Sequence, residues 1–260
     1  MSGRLSLEHW LGYSVRRHAL DGELEKIRGC MSGRVLEIGN GHGGRRGRFR
    51  PPVGETEAWI YLDLEPLRRP DIQADVEHLP FEGAAFDTVM CLEVLEYVTD
   101  PPAALKEIRR VLKPQGTFIL ATPFLHRADS PHDYWRFTEH GARYLLDRAG
   151  FAVLELSAQG HALGVAVNTL KYAIDTQPAG WRRRLLGYLV RPVLTLLWRL
   201  DGPTARQQAT LRTFSTGYLI VARRLPDGAS ASPAEGAAVR LPVSVAANRA
   251  DARDDHGCPS

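Results

Sequence analysis

Cysteine is scarce in this chain. Three cysteines in 260 residues, Cys30, Cys91 and Cys258, lie far apart and form no CxxC pair. That pattern argues against a disulfide scaffold or a zinc knuckle and suits a reducing compartment, the cytoplasm. Long apolar runs are missing too: no stretch reaches about 18 uncharged apolar residues, which argues against a transmembrane helix. Arg, Glu and His scattered through Met1–Leu20 argue against a signal peptide. Nor does one sign of charge dominate. The 33 Lys+Arg exceed the 30 Asp+Glu by three, too little to point to nucleic acid. No repeat is visible, and His126 and His132 have no second pair of ligands nearby, so no metal is expected. What remains, 44% hydrophobic and 24% charged residues, is ordinary globular composition at a length for one large domain with appendages.

Short apolar runs alternate with helical patterns from Arg34 onward. Arg34–Ile38, Ala58–Asp63, Asp71–Asp75, Phe86–Cys91 and Thr117–Ala121 read as strands, with Phe151–Leu156 and Gly217–Arg223 as two more. Asp100 is a candidate N-cap, with Pro101 at the first helical position and Leu105, Ile108, Val111 and Leu112 on one face. Thr138 can cap a second helix whose inward stripe is Ala142, Leu145, Leu146 and Ala149. Strands alternating with helices predict an α/β domain with a mostly parallel sheet and helices on both faces. Residues 160–212 are too long for a loop and predict a helical insertion before the last strand, with Pro192 splitting a basic, aromatic segment at 181–200 into two short helices. That segment suits contact with a membrane surface, a pocket cap or a dimer face. Residues 1–30 read as a helical extension, 31–224 as the main domain, and 225–260, rich in Ala, Pro, Ser and Gly, as a disordered tail.

The strongest chemical signal is Val35-Leu-Glu-Ile-Gly39-Asn-Gly41-His-Gly43-Gly44, a strand running straight into a glycine-rich turn. Such glycines permit positive φ and let a ligand lie against bare backbone. Gly39, Gly41 and Gly44 also fit the dinucleotide spacing GxGxxG, so a nicotinamide oxidoreductase is one reading. Glu37 favours another ligand, because a carboxylate there repels a pyrophosphate but suits an ammonium group. Pro51 and Pro52 keep any following helix short. Asp63 ends the second strand, where a carboxylate can accept from both hydroxyls of a ribose, and Asp75 ends the third, within reach of an adenine amine. Arg45, Arg46, Arg48 and Arg50 follow the glycine turn and suit an anionic acceptor.

Further segments add Leu79-Pro-Phe81, Phe86-Asp-Thr-Val89, Glu93-Val-Leu-Glu-Tyr97, Arg110-Val-Leu-Lys-Pro-Gln-Gly116 and Asp133-Tyr-Trp-Arg-Phe-Thr138. Together they resemble the class I S-adenosylmethionine (SAM)-dependent methyltransferases, specifically the small bacterial kind, and a subgroup carrying the D-Y-W-R-F-T segment. The resemblance implies a seven-stranded Rossmann-like sheet with an antiparallel last strand. It implies SAM on Gly39, Asn40, Gly41 and Gly43, with Glu37 at the ammonium and Asp63 at the ribose. Leu64 would flank the adenine, Asp75 and Val76 would read its edge, and Cys91 and Leu92 would offer backbone near the methionine part. The sequence departs from the pattern at Tyr97, where the family has His, at Gln115, where it has Gly, and at Asn40.

The segment from Pro123 to Thr138 should arch over the reacting methyl group. His126 and His132 are its candidate bases, and Tyr134 and Arg136 its substrate-positioning groups. By analogy with glycan-modifying relatives, the acceptor expected is a small or medium molecule bearing an oxygen nucleophile, saccharide or lipid-linked. A non-catalytic SAM-fold binding protein is the remaining alternative.

Overall fold

Arg34-Val-Leu-Glu-Ile38 sends side chains alternately to opposite sides, and both sides of this strand are buried. The computed structural model, which describes residues 7–42 and 47–228, places this strand, β1, in the middle of a seven-stranded sheet. The others are β2 (Ala58–Asp63), β3 (Ile72–Gln73), β4 (Phe86–Leu92), β5 (Leu112–Pro123), β6 (Phe151–Ala158) and β7 (Gly217–Arg224). They run in the order β3-β2-β1-β4-β5-β7-β6. The first five are parallel, and β7 enters between β5 and β6, antiparallel to both. This is the expected Rossmann-like, mostly parallel sheet. Its order reverses between β1 and β4, where open α/β sheets leave a crevice at the strand ends.

Helices cover both faces. Leu36, Ile38, Val89, Cys91 and Leu120 enter one core, beneath α3 (Pro101–Val111) and α4 (Glu139–Arg148). Val35, Met90, Ile119 and Leu219 enter the other, beneath Leu20 and Leu24 of α2 (Val15–Lys26). The capping residues work as the sequence suggests: Asp100 accepts from the Ala103 N–H at 3.2 Å and Thr138 from the Gly141 N–H at 3.0 Å.

The insertion comprises α5 (Ala162–Asp175), α6 (Trp181–Gln207) and α7 (Ala209–Arg212). It packs on α1 (Leu7–Gly12) and the start of α2 through Leu7, Val15, Val167, Ile174 and Leu194. Pro192 does not split it: α6 runs 27 residues through both Pro192 and Pro203. A proline removes one helical bond, but here the buried stripe Gly187, Leu194, Asp201 and Ala205 is continuous across both prolines. Asp201 binds α6 to α5 from the side, accepting the His161 N–H at 2.7 Å and the Gly164 N–H at 2.9 Å. It thereby satisfies helix-start donors that would otherwise lack a partner.

Several strand limits differ from the sequence reading, and β4, β6 and β7 run one or two residues further than expected. The third strand shrinks to Ile72–Gln73, leaving Asp75 in the turn beyond it. The fifth begins at Leu112 rather than Thr117, with a register shift that accommodates Lys113-Pro-Gln-Gly116. Within that bulge the exposed Gln115 adopts φ +63°, a left-handed conformation costing a side chain about 1–2 kcal/mol. Of the segment 225–260, expected to be a disordered tail, only residues 225–228 are described; the remainder, with Cys258, lies outside the described residues. Gln115→Gly should therefore raise the unfolding free energy by about 0.5–1 kcal/mol in urea denaturation. A loss of stability would show that the glutamine side chain supports the bulge.

Candidate functional site

A cleft of about 510 Å³ opens where β1 and β4 end, roofed by the first turns of α2. Gly39 turns the chain off β1 with φ +86°, and a Cβ there would lie 2.0 Å from Val94 Cγ2, so only glycine fits. Its N–H donates to Leu62 O at 2.8 Å, which ties the turn to β2. Gly41 is required for a different reason: a Cβ there would lie 2.2 Å from Arg68 O, so the β2–β3 connection packs directly on the loop. Gly43, Gly44, Arg45 and Arg46 lie outside the described residues.

Glu37 sits in the cleft wall and is 1% exposed. Trp59 Nε1 donates to it at 2.9 Å and Asn40 Nδ2 at 2.8 Å. These two bonds orient the carboxylate in the cleft wall. Asp63, also buried, ends β2. One of its oxygens accepts the Glu65 N–H at 2.9 Å, and the other faces Arg68 Nε at 3.2 Å. Burial pushes its pKa above the usual carboxylate range. Arg68 itself lines the cleft, as does Leu92, whereas Leu64 is exposed. Cys91 points into the α3 core, and burial pushes its thiol pKa up.

Asp75 and Val76 are outside the cleft lining. Asp75 is exposed and accepts the Glu77 N–H at 2.9 Å, while Val76 is buried in the core. Asp75, Glu77 and His78 approach one another within 4.8 Å. Glu77 is engaged by Thr99 Oγ1 and the Asp100 N–H, both at 2.9 Å, which accounts for the cluster as turn structure.

The roof and far wall come from residues to which the sequence reading gave no role in the site. Arg16 of α2 pairs with Glu93, which follows β4 at φ +61°. Tyr97 Oη donates to Asp129 at 2.7 Å, and both line the cleft together with Arg127 and Ser130. The four candidates drawn from the Pro123–Thr138 segment are not among the lining residues. The backbone explains this. Tyr134 N–H and Trp135 N–H both donate to Glu96 O, at 2.8 and 3.2 Å, and Trp135 Nε1 donates to Val98 O at 2.8 Å. Arg136 pairs with Asp133 and donates to Arg127 O at 2.9 Å, so it fastens the loop to itself. His132 is exposed, with Nδ1 3.0 Å from Tyr134 Oη. His126 packs against the Tyr172 ring at 5.3 Å, and burial with nearby Arg16 lowers its pKa to about 4. It is therefore neutral at pH 7.

Of the arginines after the glycine turn, the two described ones, Arg48 and Arg50, serve elsewhere. Arg48 covers the Tyr13 ring at 4.9 Å, and Arg50 donates to Gly47 O and Phe49 O at 2.8 and 2.9 Å. Among the described residues, the cations that line the cleft are Arg16, Arg17, Arg68 and Arg127. Glu93 and Glu96 left a readable trace, being charged residues inside an otherwise apolar segment. Arg16 and Asp129 left none, because their roles depend on packing between distant parts of the chain.

Glu96 is 2% exposed, and burial raises its carboxyl from the ordinary value near 4.5 to about 7. Between these values the folded protein holds a proton that the unfolded chain releases, so stability falls as pH rises through this window. Glu96→Gln should flatten the fall in melting temperature between about pH 4.5 and 7 and gain most above pH 7. An unchanged slope would remove Glu96 as its source.

Sheet order and strand-end cleft together define a Rossmann-like α/β fold with an open cleft at its switch point. Residues 56–120 match the methyltransferase domain family. The chain is 27% identical over 208 residues to a ubiquinone biosynthesis O-methyltransferase of Psychrobacter cryohalolentis, covering 73% of this chain and 76% of that one. Its fold is similar to the YcgJ protein of Bacillus subtilis (TM-score 0.51, 16% identity, 80% of this chain and 99% of that one). It is also similar to phosphoethanolamine N-methyltransferase 2 of Haemonchus contortus in complex with SAM (TM-score 0.51, 16% identity, 86% and 61%). The domain match and the methyltransferase relatives together support a class I SAM-dependent methyltransferase, with SAM as its cofactor. The nicotinamide and non-catalytic readings fall with that assignment.

Proposed function

We propose that this methyltransferase alkylates a hydroxyl oxygen of a lipid-linked acceptor, in the cytoplasm, with a saccharide hydroxyl as the neighbouring substrate class. The observation that carries the cofactor placement is the pairing of two buried carboxylates, Glu37 and Asp63, at adjacent strand ends on either side of Gly39. That arrangement fits an ammonium group at one end and a sugar diol at the other. Gly39, Asn40 and Gly41 would supply the backbone floor, with Gly43 extending it. Leu64 would flank the adenine, Asp75 and Val76 would meet its edge, and Cys91 and Leu92 would offer backbone at the methionine end. When bound, SAM supplies a methyl group on a sulfonium, already activated toward a nucleophile.

The chain's own contribution is then to orient the acceptor and remove its proton. Alignment of this kind can account for roughly 7–11 kcal/mol of a barrier. Asp129 is the carboxylate in the cleft wall that can take the hydroxyl proton. Burial and Asp129 push the Tyr97 pKa up, so Tyr97 stays protonated and holds Asp129 in place. Arg136 and the His132–Tyr134 pair keep the loop that carries Asp129 in position. The oxygen nucleophile is supported by the name of the Psychrobacter relative, an O-methyltransferase of ubiquinone biosynthesis. The charged lining of the cleft suits a polar, hydroxyl-bearing end of the acceptor.

Two measurements test these roles. Asp63→Ala should weaken SAM binding about tenfold or more by calorimetry, the loss expected for hydrogen bonds to a charged group. Unchanged affinity would remove the diol contact. Asp129→Asn should lower kcat by about a hundredfold on a hydroxyl acceptor while leaving SAM affinity within about twofold, with a smaller loss for Tyr97→Phe. Full activity of Asp129→Asn would move the base elsewhere.

A further inference from the structure

Helix α6 has two apolar stripes, and only one is covered. Gly187, Leu194 and Ala205 face inward and are buried. On the opposite side Leu185, Leu189, Leu196 and Leu200 are 50%, 65%, 56% and 43% exposed. At 3.6 residues per turn these four fall within an arc of roughly 60°. Trp181 and Tyr188, 69% and 62% exposed, stand beside them.

The charge on this helix is one-sided. It carries six arginines, at 182, 183, 184, 191, 199 and 206, against one acid, Asp201. Asp201 is 3% exposed, with its oxygens occupied by the start of α5. Arg183 is engaged with Asp175 at 2.5 Å, and Arg182, Arg199 and Arg206 are exposed. The outer face of α6 is therefore an exposed leucine strip bordered by cations, with no exposed acid. Over 27 residues it extends about 40 Å. Among the described residues no helix is long and apolar enough to cross a membrane.

We propose that α6 docks flat on an anionic lipid surface. The leucine strip enters the acyl boundary, Trp181 and Tyr188 sit at headgroup depth, and the exposed arginines meet lipid phosphates. A second copy of the chain fits less well, because a two-fold pairing of this face would set the same arginine-rich borders against each other. The docking surface stands apart from the acceptor assignment, since none of its residues lines the cofactor cleft.

Co-sedimentation of the full chain with phosphatidylcholine vesicles, with and without phosphatidylglycerol, tests the proposal. Binding should be at least about tenfold stronger when phosphatidylglycerol is present and should fall as salt is raised. Leu189→Glu combined with Leu196→Glu should lose that binding by about tenfold or more, while its thermal shift with SAM matches the wild type. A matching shift shows that the variant is folded and keeps this test separate from the methyltransferase reading. Wild-type protein remaining in the supernatant with both vesicle types would overturn the proposal. So would equal binding to the two types, or a wild-type dimer in light scattering that the double variant converts to monomer.

Discussion

The site depends on one steric constraint. Val94 occupies the space where a side chain at residue 39 would begin, so the chain can leave β1 only through a glycine in the left-handed region. Because Gly39 is also bonded to Leu62 O, this turn fixes the ends of β1, β2 and the β4 connection relative to one another. Glu37 and Asp63 are held at neighbouring heights as a result, two buried carboxylates at adjacent strand ends, with Glu37 in the cleft wall. Parallel pairing from Arg34–Ala58 to Ile38–Leu62 sets that height.

Much of this was legible in the residues. The sheet and the caps at Asp100 and Thr138 follow from patterns that repeat within a few residues, and the antiparallel last strand from the family resemblance. The glycine turn and the strand-end acids are equally local. The roof of the cleft is not. Arg16 meets Glu93 only because α2 folds back over the sheet, and no spacing rule connects residues so far apart in sequence. Asp129 was hidden for a related reason. The neighbouring histidines have the more familiar acid–base chemistry, but backbone bonds from Tyr134 and Trp135 to Glu96 O decide which loop residues reach the cleft.

Gln115 and Pro192 show where local preference gives way to tertiary context. Gln115 takes a conformation that favours glycine because Gly116 behind it has no room: a Cβ at 116 would lie 2.8 Å from both Leu112 Cγ and Lys113 O. Pro192 remains inside a helix because the stripe on either side of it packs against a common partner. In both cases a local cost is outweighed by packing that a sequence window does not contain.

The placement of β7 carries a consequence for assembly. This strand is the last of the seven in chain order but sits between β5 and β6, so those two never pair directly and are bridged only when residues 217–224 arrive. Their facing edges remain open while some 60 residues of helical insertion are synthesised and folded. Closing the sheet thus awaits a segment distant in sequence, which favours slow, cooperative completion over strand-by-strand growth. A nascent chain released before residue 217 would present two unsatisfied strand edges to its neighbours.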